Sequence, residues 1–140
     1  AALGALRAAA AEGDGRSAVV RAAPGGPVLL TRRPAGTHLA GLWELPGGKV
    51  EDGESPEHAV VRECREEIAL ELRVVDILDV AYHSYPEKDV LLLFYDCRVV
   101  GGELAHLGVA DSAWVAPSDL DAYPLPPPDR RLVDKLKTGP

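Results

Sequence analysis

Apolar residues fall in short runs separated by glycine and proline, and their period changes midway along the chain. Ser17 to Ala23 and Val28 to Arg33 are brief apolar stretches on either side of Pro24-Gly25-Gly26-Pro27. Strand-like runs around such a turn predict a hairpin. Pro34 to Gly41 reads as a loop. Leu42-Trp43-Glu44-Leu45 is expected to be extended, because Pro46 disfavours helix at the residue before it. Gly47-Gly48 follows, and glycine there permits backbone angles that other residues resist.

From Ser55 the period becomes helical. Ser55 is a candidate N-cap, Pro56 suits the first turn, and Glu57 complements the positive end of the helix dipole. Ala59, Val60, Val61, Cys64 and Ile68 continue the apolar positions toward Leu70. Leu72 to Tyr82 and Val90 to Val100 are rich in β-branched and aromatic residues and read as strands. Ser112 to Val115 is a short strand, Pro117-Ser118-Asp119-Leu120 begins a helical turn, and Asp129 to Lys137 forms a closing helix. Strands mixed with two or three helices predict a layered α/β fold.

The 140 residues suit a single domain over 1–140. Within it, residues 1–16 form a flexible or accessory segment that is open to helix, edge strand or disordered tail. The two cysteines, Cys64 and Cys97, are far apart in sequence, and no His pair has metal-ligand spacing. Neither a zinc site nor a disulfide framework is expected, and a reducing cytoplasm is the compartment that this composition suggests. A net charge of −7 disfavours nucleic acid and anionic membranes as partners. It leaves room for a polyanionic substrate if divalent cations sit between site and ligand.

The densest chemistry lies in Gly48 to Leu70, GKVEDGESPEHAVVRECREEIAL. With Ala59 set at zero on a helical wheel, Glu66 falls near about 340°, Glu63 near about 40° and Glu67 near about 80°. Val60, Cys64, Ile68 and Val61 occupy the adjoining arc. The acidic stripe therefore borders the buried face instead of opposing it. Like charges at i, i+3 and i+4 repel, and a hard cation with oxygen ligands would relieve them, magnesium being apt where phosphates complete its shell. The alternative is plain surface charge, neutralised by Arg62 and Arg65.

This stretch resembles the Nudix box: Gly, five residues, Glu, seven residues, Arg-Glu, an aliphatic, any residue, Glu-Glu, any residue, Gly, an aliphatic. Gly48, Glu54, Arg62, Glu63, Glu66, Glu67 and Leu70 match, while Cys64 takes the aliphatic slot and Ala69 replaces the last glycine. Ala69 is comfortable only if the helix end avoids a left-handed conformation. Leu30-Thr31-Arg32-Arg33-Pro34, His38 and Leu42 to Lys49 are similar to the approach to the box in the MutT-like branch. Tyr95, Gly101-Gly102-Glu103, Trp114-Val115 and Pro126-Pro127-Pro128-Asp129 are similar to its second half.

The resemblance implies an α/β/α sandwich with a mixed β-sheet. It also implies Mg²⁺-dependent (or Mn²⁺-dependent) hydrolysis of a nucleoside triphosphate to monophosphate and pyrophosphate. Glu63, Glu66 and Glu67 become metal ligands, with a Gly47 or Gly48 carbonyl as a further one. Glu63 is favoured instead to orient or deprotonate the attacking water. Glu54 and Arg62 become a supporting ion pair, and Arg33 a contact for phosphate or else a surface arginine. Some relatives place a late-loop glutamate before a glycine. Leu107 holds that slot here, leaving Asp111 or His106 as substitutes, each otherwise an ordinary loop residue.

The 8-oxo-dGTP branch carries asparagine where this chain has Asp129. An ionised aspartate only accepts hydrogen bonds, which suits the amino group of cytosine in CTP, dCTP or 5-methyl-dCTP. Its alternative is an N-terminal helix cap. Tyr85 and Tyr123 are candidates to stack on a base. The expected partner is the nucleotide alone, bound by a monomer, a dimer being the alternative. Two further functions fit: hydrolysis of ADP-ribose or another nucleoside diphosphate derivative, which Pro86 favours, and a catalytically silent nucleotide sensor.

Overall fold

The computed structural model describes residues 15–37, 40–49, 51, 53–87 and 89–138. The N-terminal segment, apart from Gly15 and Arg16, and His38 lie outside them. Seven strands are described: β1 (Gly15–Val20), β2 (Val28–Arg32), β3 (Trp43–Glu44), β4 (Gly47–Lys49), β5 (Leu70–Ser84), β6 (Asp89–Gly102) and β7 (Asp111–Val115). The helix α1 (Pro56–Ile68) joins β4 to β5. A 3-10 turn (Pro117–Ala122) and α2 (Pro127–Thr138) follow β7.

The strands form two sheets, β4-β1-β6-β5 and β3-β2-β7. β1 runs parallel to β6 and every other pairing is antiparallel, so the arrangement is mixed. Successive strand residues point to opposite faces, and two cores result. Val19, Leu30 and Phe94 join Leu132, Val133 and Leu136 of α2 in one core. Ala18, Val20, Leu29 and Tyr95 join Val60, Cys64 and Ile68 of α1 in the other. Helices thus cover both faces, as an α/β/α sandwich requires. Cys64 and Cys97 are free and share the second core. No helix among the described residues is long and apolar enough to cross a membrane.

The hairpin expected across Pro24-Gly25-Gly26-Pro27 does not form. β1 bonds to β4 and β6, while β2 bonds to β3 and β7. Ala18-Val19-Val20 and Val28-Leu29-Leu30 are fully buried on both faces. Continuous apolar runs of this kind belong to central strands with a partner on each side. Arg21 also draws the end of β1 to β6, its N–H donating to the Cys97 carbonyl and its Nε to Asp96 at 2.9 Å.

Helix α1 begins as its sequence predicts. Ser55 Oγ accepts from the His58 N–H at 3.1 Å, and Pro56 occupies the first turn. Its end differs from expectation: Ala69 is left-handed, at φ 61° and ψ 23°, with its N–H donating to the Arg65 carbonyl. The late loop then closes the helix terminus. Ala105 N–H donates to the Ile68 carbonyl, and Leu107 and Gly108 N–H both donate to that of Glu67.

Candidate active site

The loop before α1 is held against the helix by one arginine. Arg62 Nε donates to Glu54 Oε2 at 2.6 Å and its Nη2 to Glu54 Oε1 at 3.0 Å, a two-pronged pair. The Glu54 backbone is anchored as well, its N–H donating to the Glu51 carbonyl. The hydrogen bonds from Arg62 hold the Glu54 carboxyl down to about 2, and Glu54 in turn pushes the guanidinium upward. Arg62 Nη1 also reaches Glu63 Oε1 at 2.9 Å and Glu66 Oε2 at 3.1 Å. Glu51 Oε1 lies 3.6 Å from the same Nη1, so among the described residues one guanidinium gathers four carboxylates.

Gly47 and Gly48 serve this arrangement through space, not through unusual angles. Neither has positive φ; both are strand residues in β4. A Cβ on Gly48 would stand 2.6 Å from Glu63 Oε2 and 2.7 Å from Glu63 Cγ. A Cβ on Gly47 would strike Ser17 Cα at 2.8 Å and the Arg16 carbonyl. The two glycines let β4 lie on β1 while Glu63 lies on Gly48. The expectation of special backbone angles is corrected accordingly.

Glu67 occupies the inner edge of the acidic stripe. Burial, then the charges of Glu63 and Glu44, raise its carboxyl to about 7. Gly108 of the late loop lies over it, a Cβ there standing 3.2 Å from Glu67 Cγ. Among the described residues no three His, Cys, Asp or Glu side chains are already gathered at metal-binding distance. The donor set nevertheless fits a hard divalent cation: carboxylate oxygens, with Glu67 raised by burial and by acidic neighbours whose charges a cation would offset.

A second acidic pair lies deeper. Glu44 of β3 accepts from Arg33 Nη1 at 3.1 Å, and burial raises its carboxyl against the pull of Arg33. Asp129 is 5 % exposed. Burial and then Glu44 raise it to about 7, while the Leu45 N–H donates to its carboxylate. Asp129 is thus tied to β3's neighbour and does not cap α2, which already begins at Pro127. Tyr85 is raised by burial and then by the Asp129 charge, and its ring packs edge-on against His83 at 4.4 Å. Glu44 pairs with Arg33 and acts electrostatically on both Asp129 and Glu67.

Sequence reasoning did not single out Glu44 as a site residue. Its signal was present: a carboxylate between Trp43 and Leu45, inside an otherwise apolar strand. Tyr123 packs edge-on against Trp43 at 5.1 Å. His106 meets Ser112 Oγ at 2.8 Å and Asp111 Oδ1 accepts from the Ser112 N–H, so each is used within its own loop. Leu107 contributes its backbone to the α1 terminus and exposes its side chain.

The NUDIX domain family matches residues 12–136. The CTP pyrophosphohydrolase of Escherichia coli is 38% identical over 112 residues, 78% of this chain and 81% of that protein. The 8-oxo-dGTP diphosphatase of the same organism is 33% identical over 110 residues, 79% of this chain and 85% of that protein. The 8-oxo-dGTP diphosphatase of Proteus vulgaris is 41% identical over 68 residues, a match spanning 61% of its length. Among solved structures, a MutT NUDIX hydrolase from Burkholderia pseudomallei superposes with a TM-score of 0.75 at 29% identity, covering 87% of this chain and 95% of that one.

Proposed function

The chain belongs to the Nudix family and is a MutT-like pyrophosphohydrolase, and from that premise we propose that it converts a cytosine nucleoside triphosphate to its monophosphate and pyrophosphate. The observation that carries the base assignment is the buried Asp129 carboxyl, which feels the charge of the neighbouring, largely buried Glu44. The exocyclic amino group of cytosine needs an acceptor, and Asp129, raised to about 7, supplies one in the fraction that is ionised at neutral pH and fully above it.

Glu66 and Glu67, with the Gly48 carbonyl, would hold a magnesium ion, which would supply charge neutralisation of the triphosphate. The chain's own groups do the rest. Glu63, lying on Gly48 and bonded to Arg62, orients the attacking water. Glu54 and Arg62 fix the loop and helix relative to each other, a positioning role. Arg33 exchanges part of its hold on Glu44 for a phosphate oxygen. Tyr85, whose ring packs edge-on against His83 and feels the Asp129 charge, supplies a ring face for the base.

A second reading, 8-oxo-dGTP, is favoured by one specific observation. With its carboxyl raised to about 7, Asp129 is partly protonated at neutral pH and then both donates and accepts. That matches the N7–H and O6 of an oxidised guanine. The deciding assay is phosphate release with magnesium and inorganic pyrophosphatase across CTP, dCTP, 5-methyl-dCTP, 8-oxo-dGTP, dGTP and ADP-ribose. Preference for the cytosine set supports the proposal. Preference for 8-oxo-dGTP, retained below pH 7 and lost above it, selects the second reading and a role in mutation avoidance. Turnover of ADP-ribose alone would overturn both.

A further inference from the structure

The end of β1 remote from Gly48 opens into a groove of about 640 Å³, whose lining includes Arg21, Pro27, Leu70, Arg98, Val99 and Trp114. Gly48 pairs with Arg16, and five strand residues further on lies Arg21, roughly 16 Å away. The groove is thus separate from the acidic stripe.

Its floor carries unbalanced charge. Asp96 accepts from Arg21 Nε at 2.9 Å and from Arg98 Nη1 and Nη2 at 2.6 and 3.2 Å. One carboxylate thus serves two guanidinium groups. Arg21 is 4 % exposed, yet among the described residues Asp96 is the one side-chain partner of its guanidinium, through Nε. Its two Nη groups are not among the buried polar atoms lacking a partner. They therefore keep a small solvent-facing surface, and Arg21 is one of the residues that line the groove. The walls are apolar, and Trp114 leaves half of its surface exposed there, beside a partly exposed Val99. An indole face next to uncompensated guanidinium N–H groups matches a flat apolar body carrying one anionic head. The volume lies within the range of small-molecule sites.

We propose that this groove binds a small organic carboxylate with a flat apolar body, its head on Arg21 and Arg98 and its body against Trp114. In a chain of net charge −7 such an anion is repelled over most of the surface. The local excess of guanidinium directs it to this place.

The chain holds two tryptophans, so a ¹⁵N spectrum of the full chain shows two indole N–H signals, assigned by Trp114→Phe. The probes are 2-naphthoate and its neutral analogue 2-naphthalenemethanol. The expected result is a saturable shift of the Trp114 signal by 2-naphthoate, with the alcohol weaker by about tenfold or more. Arg98→Gln should weaken the acid by a similar factor and leave the alcohol unchanged. Should that variant misfold, Val99→Glu, at a half-exposed wall, should abolish binding of the acid with the remaining amide signals native. Equal affinity for acid and alcohol, a shift at Trp43 alone, or no saturable shift would overturn the proposal.

Discussion

Replacing Ala69 with glycine should stabilise this protein. Ala69 ends α1 at φ 61°, ψ 23°, and among the described residues it alone has positive φ without being glycine. An L-residue with a Cβ pays roughly 1–2 kcal/mol for that region. Glycine removes this cost but brings extra freedom to the unfolded chain, which returns roughly 0.5–1 kcal/mol. The net gain is about 0.5–1 kcal/mol, or a rise in Tm of about 2–4 °C for a domain of this size. No hydrogen bond is lost, because the bonds closing the terminus run through the backbone of Ala69, Ala105, Leu107 and Gly108. Urea unfolding followed by circular dichroism measures the change: the midpoint should move up with an unchanged slope. Ala69→Val is the opposite control, since β-branching makes left-handed backbone harder still. An Ala69→Gly protein no more stable than the parent would refute the reasoning, and would mean that the helix ends in another way in solution.

Other outcomes follow from the same structure. Gly48→Ala introduces a Cβ into the Glu63 carboxylate with no conflict of backbone angle, so turnover should fall roughly tenfold to a hundredfold while the unfolding midpoint barely moves; unchanged kcat would mean that Glu63 need not lie on Gly48. Glu67→Gln should lower magnesium-dependent turnover by roughly a hundredfold or more, and a chelator should abolish turnover in the parent protein, with recovery on adding Mg²⁺; full activity in either case would remove the metal-ligand assignment. The Asp129 carboxyl binds its proton more tightly folded, at about 7, than at its ordinary 3.8. Its contribution is therefore most favourable below pH 4 and is lost as pH rises toward 7, by up to about 4 kcal/mol. Asp129→Asn should reduce the slope of the stability profile between pH 4 and 7, leaving the contributions of Glu67 and Glu44, and identical profiles would show that the carboxyl is not buried as described.

The acidic stripe and its helix were legible in the sequence because their geometry is local. A turn of about 100° per residue sets where Glu63, Glu66 and Glu67 lie relative to Val60, Cys64 and Ile68 whatever the rest of the chain does. Ser55 and Pro56 act within one turn of themselves. Ala69 was legible as the point where the box pattern is broken, but its left-handed angle depends on the late loop that closes the helix end. Strand partners were not legible. The turn around Gly25-Gly26 looks the same whether β1 pairs with β2 or with β6, and only burial on both faces of each strand decides. The demand for glycine at Gly47 and Gly48 likewise comes from Ser17 and Glu63, far away in sequence. Residue type and spacing determined the chemistry that this chain can hold. The tertiary structure decided which carboxyls are buried: desolvation, and the nearness of Glu44 to both Glu67 and Asp129, are properties of packed neighbours and not of any single segment.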